Sequence, residues 1–452
     1  MTPGPVPPPH PPAGPPAGGS AAGGAAADDV AHALGDAWRT HWSHVVALLV
    51  AQFGSPDLAE EGAGDAFEAA ARTWPRDGVP TNSGAWLLTA ARRRVLDRLR
   101  SQAVHRRKEP LMVVDDEMRA LAAATHDPGA HVADEQLRLV LACCHPALAP
   151  ADRVAMTLRF VVGLGTADIA RLQLVQHTAM SARLTRAKKR LAATGVPFVV
   201  PPPGQLAERL DAVSTVLYLL FTAGYQPADV PGGLRVDLAD EAVRLTRELD
   251  RLLGGSPRVH ALLALMLLQH SRRDARLDDD GRLVLLPDQD RSRWHHDDIA
   301  EAVDLLAALP PLDGLAEDHR LQALAAAEHA TAPTAAATRW DVVARLYAVL
   351  EARTGSPVVR LARAVAVAEA AGPEAGLEVL DGLDDALAHH HRLPAVRGEL
   401  LLRAGRGPQA VDALTRALTL VPDAAERHHL ETRLAQARDL ADAQARDPGH
   451  RG

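Results

Sequence analysis

The chain has 452 residues, 47% hydrophobic but 3% aromatic, with two cysteines and a formal net charge of −8. That length exceeds one ordinary core and points to about two to four domains, and the scarcity of aromatics calls for cores of Leu, Ala and Val between helices, an all-α fold. The adjacent pair Cys143-Cys144 excludes a disulfide framework, no apolar run approaches the roughly 18 residues of a membrane span, and the first residues lack an export leader, so a soluble cytoplasmic protein is expected.

Charge is segregated. Residues 1–200 carry 21 Lys+Arg against 19 Asp+Glu; of the totals of 49 and 57, that leaves 28 against 38 for the remainder. The three lysines, Lys108, Lys188 and Lys189, lie in or beside two arginine-rich helical patterns in the first half.

In chain order, residues 1–27 are nearly all Pro, Gly and Ala and are expected to form a disordered arm. Helical patterning then builds a first domain, residues 30–108, with turn signals at Gly54-Ser55-Pro56 and from Trp74-Pro75 to Pro80. Its last helix turns Trp86, Leu87, Ala90, Ala91, Val95 and Leu99 toward a core and offers Arg92, Arg93, Arg94, Arg98 and Arg100 on its other faces. Trp86 behind the Pro75–Gly84 loop suits an unstacked base, because single strands are held by stacking and backbone charge. On the residues alone, a core Trp86 beside solvated arginines is an equal reading.

A polar linker, 109–132, leads to a second small domain, 133–196. There Thr166 can cap a short helix containing Ile169 and Ala170, a turn follows, and a second helix runs from His177 to Leu191. Met180, Leu184, Ala187 and Leu191 fall at i, i+4, i+7 and i+11 as a buried stripe. Thr178, Ser181, Arg183, Arg186, Lys188 and Lys189 are left for base edges and phosphates.

Pro201-Pro202-Pro203 opens a longer acidic helical region, divided here into residues 205–310 and 318–445, with a hairpin expected between Arg276 and Leu286. Gly372 and Gly405, 33 residues apart, sit in similar strings and approach the roughly 34-residue tetratricopeptide period. An ordinary helical hairpin explains them equally.

Nothing calls for catalysis, a cofactor or a metal. Cys143-Cys144-His145 lacks a second ligand pair, and His295-His296, His389-His390-His391 and His428-His429 lack partners at ligand spacing. A helical scaffold that binds protein without DNA and a DNA-binding regulator without polymerase contact both stay open.

Asp57-Leu58-Ala59-Glu60-Glu61, Asp65-Ala66-Phe67, Trp74-Pro75, Ala85-Trp86-Leu87-Leu88-Thr89-Ala90-Ala91-Arg92 and Leu96-Asp97-Arg98-Leu99-Arg100 resemble region two of an extracytoplasmic-function (ECF) sigma factor of bacterial RNA polymerase. Residues 139–191, with Cys143-Cys144-His145-Pro146 and Arg183-Leu184-Thr185-Arg186-Ala187-Lys188, resemble region four. Pro287-Asp288-Gln289-Asp290-Arg291-Ser292-Arg293-Trp294 and Arg363-Ala364-Val365-Ala366 are similar to the subgroup with a C-terminal tetratricopeptide-like extension. The resemblance implies core RNA polymerase and promoter DNA as partners. It puts Glu61, Asp65 and Phe67 on the polymerase and Trp86, Arg92, Arg93, Arg98 and Arg100 on the melted promoter element. Thr178, Ser181, Arg183, Arg186, Lys188 and Lys189 would then meet the upstream element. Gly64 and Arg93 depart from the Gln and Asn usual at these places. The subgroup also implies a functional link to a small protein of the DGPF or YCII-related type, and an extension that modulates activity.

Overall fold

A computed structural model describes residues 21–106, 137, 139–145, 147–173, 175–193, 203–225, 234–279, 281–282, 284–421 and 424–446. The described residues are helical apart from turns, 3-10 segments and one isolated bridge at Leu277. Two compact units divide the chain, residues 1–128 with 160–163, and residues 129–159 with 164–452.

The first unit contains α1 (Ala21–Phe53), α2 (Pro56–Asp77) and α3 (Ser83–Arg106), which pack pairwise. Of the expected arm, residues 1–20 lie outside the described residues, but Ala21–Ala27 already belong to α1. Alanine's helix propensity favours continuing the helix through this Ala-rich segment. Gly54, at φ +64°, turns the chain, and Ser55 caps α2 by accepting from the Leu58 N–H at 3.4 Å. α2 runs past the expected stop at Trp74-Pro75 to Asp77. Pro75 falls in the last turn, and the Gly78 N–H closes that turn on the Trp74 carbonyl at 3.0 Å. Gly62 lets α2 approach α3 closely, since a Cβ there would overlap the Val95 Cγ2 methyl.

In the second unit, α4 (Pro150–Phe160), α5 (Thr166–Leu172) and α6 (His177–Ala193) follow a buried run that includes Leu137 and Leu139–Cys144. Here α5 opens on Thr166, but the Ile169 N–H bonds to the Gly165 carbonyl, so Gly165 holds the capping position expected of Thr166. The extension begins with α7 (Pro203–Ala223), α8 (Val236–Leu253) and α9 (Pro257–His270). α9 is buried continuously from Ala261 to Leu268, as befits a helix that is apolar all round, and α7, α8, α10 (His296–Ala307) and α11 (Gly314–Thr331) pack around it. The expected hairpin is a tight turn: the Asp278 N–H bonds to the Arg282 carbonyl at 2.9 Å and the Val284 N–H to Arg276 at 2.8 Å.

Beyond α11, α12 (Trp340–Thr354), α13 (Pro357–Ala371), α14 (Pro373–Leu380), α15 (Arg392–Arg403), α16 (Gly407–Leu420) and α17 (Ala424–Arg446) each pack on the next. Gly372 and Gly405, at φ +100° and +70°, occupy corresponding turns between α13 and α14 and between α15 and α16. Both conformations favour glycine, which gives the 33-residue spacing a structural basis.

Candidate nucleic-acid interface

On α3, Asn82 fixes the start of the basic helix: its side-chain oxygen accepts from the Ala85 N–H at 2.9 Å and its carbonyl from the Trp86 N–H at 3.2 Å. At about 100° per residue, Trp86, Arg93, Asp97 and Arg100 fall within a narrow outward strip, opposite the buried Leu87, Ala91 and Val95. Trp86 is half-buried, its ring edge-on to the buried Trp74 at 5.8 Å between centroids. One side of Trp86 is therefore packed and the rest reaches solvent. Arg93 and Arg94 are exposed, and Arg100 is exposed with Asp97 at 3.4 Å.

The other two candidate arginines leave this row. Arg92 lies on the flank, its buried Nε has no partner, and burial holds its pKa below the usual guanidinium value. Arg98 turns toward α2, where it pairs with Glu61 and with Asp65 at 3.0 Å. The structure thus joins one residue expected on DNA to two expected on polymerase. Phe67 is not at the surface. It is buried against Trp38 and Trp42, with ring centroids 4.8 and 5.9 Å away, and belongs to the core of the three-helix unit.

The helix-turn-helix follows its sequence pattern closely. Met180, Leu184, Ala187 and Leu191 are buried, as are Ile169 and Ala170 on α5. Burying side chains the size of Met or Leu stabilises by about 1.5–3 kcal/mol each, enough to fix the rotation of α6. Thr178, Ala182, Thr185, Arg186 and Lys189 then form the exposed row, with Ser181 and Lys188 half-buried on one flank. Arg183 lies on the other flank. It donates to the Gln173 side-chain oxygen at 2.9 Å, sits 3.7 Å from Asp152, and keeps 28% of its side chain exposed. Arg183 therefore ties α6 to α4 and α5, a role that its angular position on the helix would have revealed.

Helices α4 and α6 share a groove with the first helix of the extension. A groove of ≈ 460 Å³ has Val154 and Leu158 of α4, Arg183 of α6 and Leu219 of α7 among its walls. Cys143 and Cys144 are fully buried; burial pushes both thiols up, Cys144 to about 12. Among the described residues no three His, Cys, Asp or Glu side chains gather as metal ligands, and no helix is long and apolar enough to cross a membrane.

One helical element ends in a basic helix beside a Trp and the other in a helix-turn-helix, the two arrangements expected of sigma-70 regions 2 and 4. The sigma-70 region 2 family matches residues 37–104 and the sigma-70 region 4 family residues 138–191, while a family of unknown function (DUF6596) matches residues 209–309. An uncharacterized protein of Rhizobium meliloti is 40% identical over 86% of this chain and 92% of its own length. A probable ECF RNA polymerase sigma factor, SigI, of Mycobacterium tuberculosis is 27% identical over 37% of this chain and 57% of its own. No solved structure matches. The chain thus carries sigma-70 region 2 and region 4 domains, followed by a C-terminal helical extension that includes the domain of unknown function.

Proposed function

We propose that this chain binds core RNA polymerase in the cytoplasm and directs it to specific promoters, with the extension modulating that activity. The observation that carries the proposal is the presence on one chain of both sigma-70 regions, each presenting cations in an outward helical row. In this reading Trp86, Arg93 and Arg100 hold the melted element, with Arg92 beside them and Arg98 recruited when it leaves Glu61 and Asp65. Those two carboxylates then become available to the polymerase, while Phe67 supports them from the core. Placing an extruded base beside Trp86 costs about a few kcal/mol, offset by stacking and phosphate contacts. Thr178, Ser181 and Arg186 face the upstream duplex, Lys188 and Lys189 contact its phosphates, and Arg183 positions α6. The groove shared by Arg183 and Leu219 supports a modulating extension, because the elements that seat the recognition helix also seat α7. The chain itself carries out no bond chemistry in this scheme.

Run-off transcription on genomic DNA with core polymerase and the full-length chain tests the proposal; promoter-specific starts that require this chain are expected. The engagement of Glu61 and Asp65 by Arg98 favours a second reading, a DNA-binding helical regulator without a polymerase role. Specific duplex binding with no transcript and no association with core polymerase would select that second reading.

A further inference from the structure

The turn after Arg276 and the Pro287–Trp294 segment form the part of the extension whose composition the DNA-binding role does not absorb. Local structure explains most of their polar groups. Asp290 accepts from the Ser292 N–H at 2.9 Å and its hydroxyl at 2.7 Å. Arg291 donates to the carbonyls of His329 and Ala332 at 2.7 and 2.9 Å, closing the end of α11, and its guanidinium lies 4.4 Å over the buried Trp294 ring. Asp298 pairs with Arg273 at 2.6 Å and Asp274 with His295 at 2.7 Å.

Two cations remain. Arg276 lies 3.9 Å over the Tyr225 ring and donates to the Gln269 carbonyl at 2.9 Å, and its buried Nε has no partner. Arg272 reaches the Gln289 side-chain oxygen at 3.5 Å. Among the described residues no carboxylate lies within ion-pair distance of either; of the nearby acids, Asp298 is engaged by Arg273, Asp274 by His295 and Asp240 by His270 at 2.8 Å. Both arginines line a cavity of ≈ 320 Å³ bounded by α9, α11 and α12, together with Gln269, Gln322, His329 and Tyr347.

Two half-buried guanidinium groups with no counter-charge are costly unless an anion completes the site. A guanidinium offers paired N–H donors that match the oxygens of a phosphoryl or carboxylate group. We propose that this cavity binds a small soluble molecule through an oxyanion gripped by Arg272 and Arg276, with Gln322 and Tyr347 beside it. Burial pulls Arg272 down to about 9, helped by neighbouring Arg276 and Arg291. Burial and the adjacent arginines likewise hold His329 down to about 4, so near neutral pH its ring is uncharged and adds no further cation. The specific Asp-Gln-Asp-Arg-Ser-Arg-Trp string then has a purpose, since Gln289 orients Arg272 and Arg291 anchors the wall that carries His329.

The test uses the full-length chain without DNA or polymerase, so its result is independent of the transcription reading. Sodium phosphate, sodium pyrophosphate and sodium succinate are titrated in calorimetry and thermal unfolding against sodium chloride at matched ionic strength. Saturable binding of at least one oxyanion is expected, with the preferred probe separating a phosphoryl from a carboxylate ligand. Arg272→Gln should weaken that binding at least 10-fold while the free variant melts at the same temperature or higher, because an uncompensated cation is gone. Arg186→Gln/Lys189→Gln on α6 should bind as the parent does. Absence of saturable binding by all three probes overturns the proposal, as does retention in Arg272→Gln, loss in the α6 variant, or a lower melting temperature for free Arg272→Gln.

Discussion

Two glycines on α2, two residues apart, should respond to the same substitution with opposite sign. A Cβ on Gly64 meets nothing within 4 Å, whereas one on Gly62 overlaps Val95 Cγ2 and stands 3.2 Å from the Ala91 carbonyl. Both positions gain the intrinsic preference of Ala over Gly, about 0.5–1 kcal/mol in a helix interior. At Gly64 that gain is the whole effect. At Gly62 it is opposed by overpacking of about 1–3 kcal/mol, and Val95, fully buried, has no free space to swing into. Gly62→Ala should therefore destabilise and Gly64→Ala stabilise, with the difference between them reporting the overpacking cost alone. For a unit of this size, 1 kcal/mol moves the melting temperature by about 4–8 °C. Urea unfolding followed by tryptophan fluorescence reads the change, since Trp38, Trp42, Trp74 and Trp86 all lie in this unit. Hydrogen exchange on peptides from α2 and α3 localises it. Effects of the same sign at both positions would refute the close approach of α2 to α3.

Lys189→Ala should weaken specific and random duplexes alike and lower the salt dependence of binding by about one counterion, measured by anisotropy at several salt concentrations. Arg183→Ala should instead destabilise the helix-turn-helix by about 1 kcal/mol, because it removes the hydrogen bond to Gln173; unchanged stability with lost sequence preference would restore a base-reading role. The thiols of Cys143 and Cys144, raised by burial, should resist iodoacetamide at pH 8 in the folded chain, as read by mass spectrometry. They stay neutral in the fold while unfolded thiols ionise near 9, so their stabilisation is present below that pH and is lost as pH rises through the raised folded values, about 12 for Cys144. His319 and His329, both held down to about 4 by burial against an ordinary 6.5, give the reverse pattern: their contribution is complete above 6.5 and is lost as pH falls toward 4. Unfolding of the extension across that range should show this slope, and His319→Phe should flatten it.

The elements that sequence read well are those set by local periodicity. Met180, Leu184, Ala187 and Leu191 recur at helical spacing on a helix whose other faces are polar, so pattern alone fixed their burial. Phe67 shows what local pattern lacks. Its neighbours on α2 include exposed Glu61 and Glu68, but the aromatic surface that buries it is supplied by Trp38 and Trp42 from α1. Arg272 and Arg276 were missed for a related reason. In sequence they stand in a run with Arg273 and Asp274 and resemble an ordinary solvated stretch; the structure assigns the nearby acids to Arg273, His295 and His270 and leaves the other two arginines facing a cavity.

Exposure sorts the basic helices more sharply than composition does. Counted by charge, α3 and α6 are each strongly cationic, and every arginine is an equal candidate for nucleic acid. Angular position separates them, since each helix devotes one strip to its core and one arginine beside that strip, Arg98 on α3 and Arg183 on α6, to carboxylates of a neighbouring helix. The central outward rows are shorter and more regular, Trp86, Arg93 and Arg100 on one helix and Thr178, Arg186 and Lys189 on the other, with exposed Arg94 and Arg190 outside them. Exposed ion pairs of this kind are worth about 0–1 kcal/mol, so Arg98 can exchange its carboxylates for phosphate at little cost. Arg183, also bonded to Gln173 and more enclosed, gives up more by leaving, so positioning suits it better than reading a base.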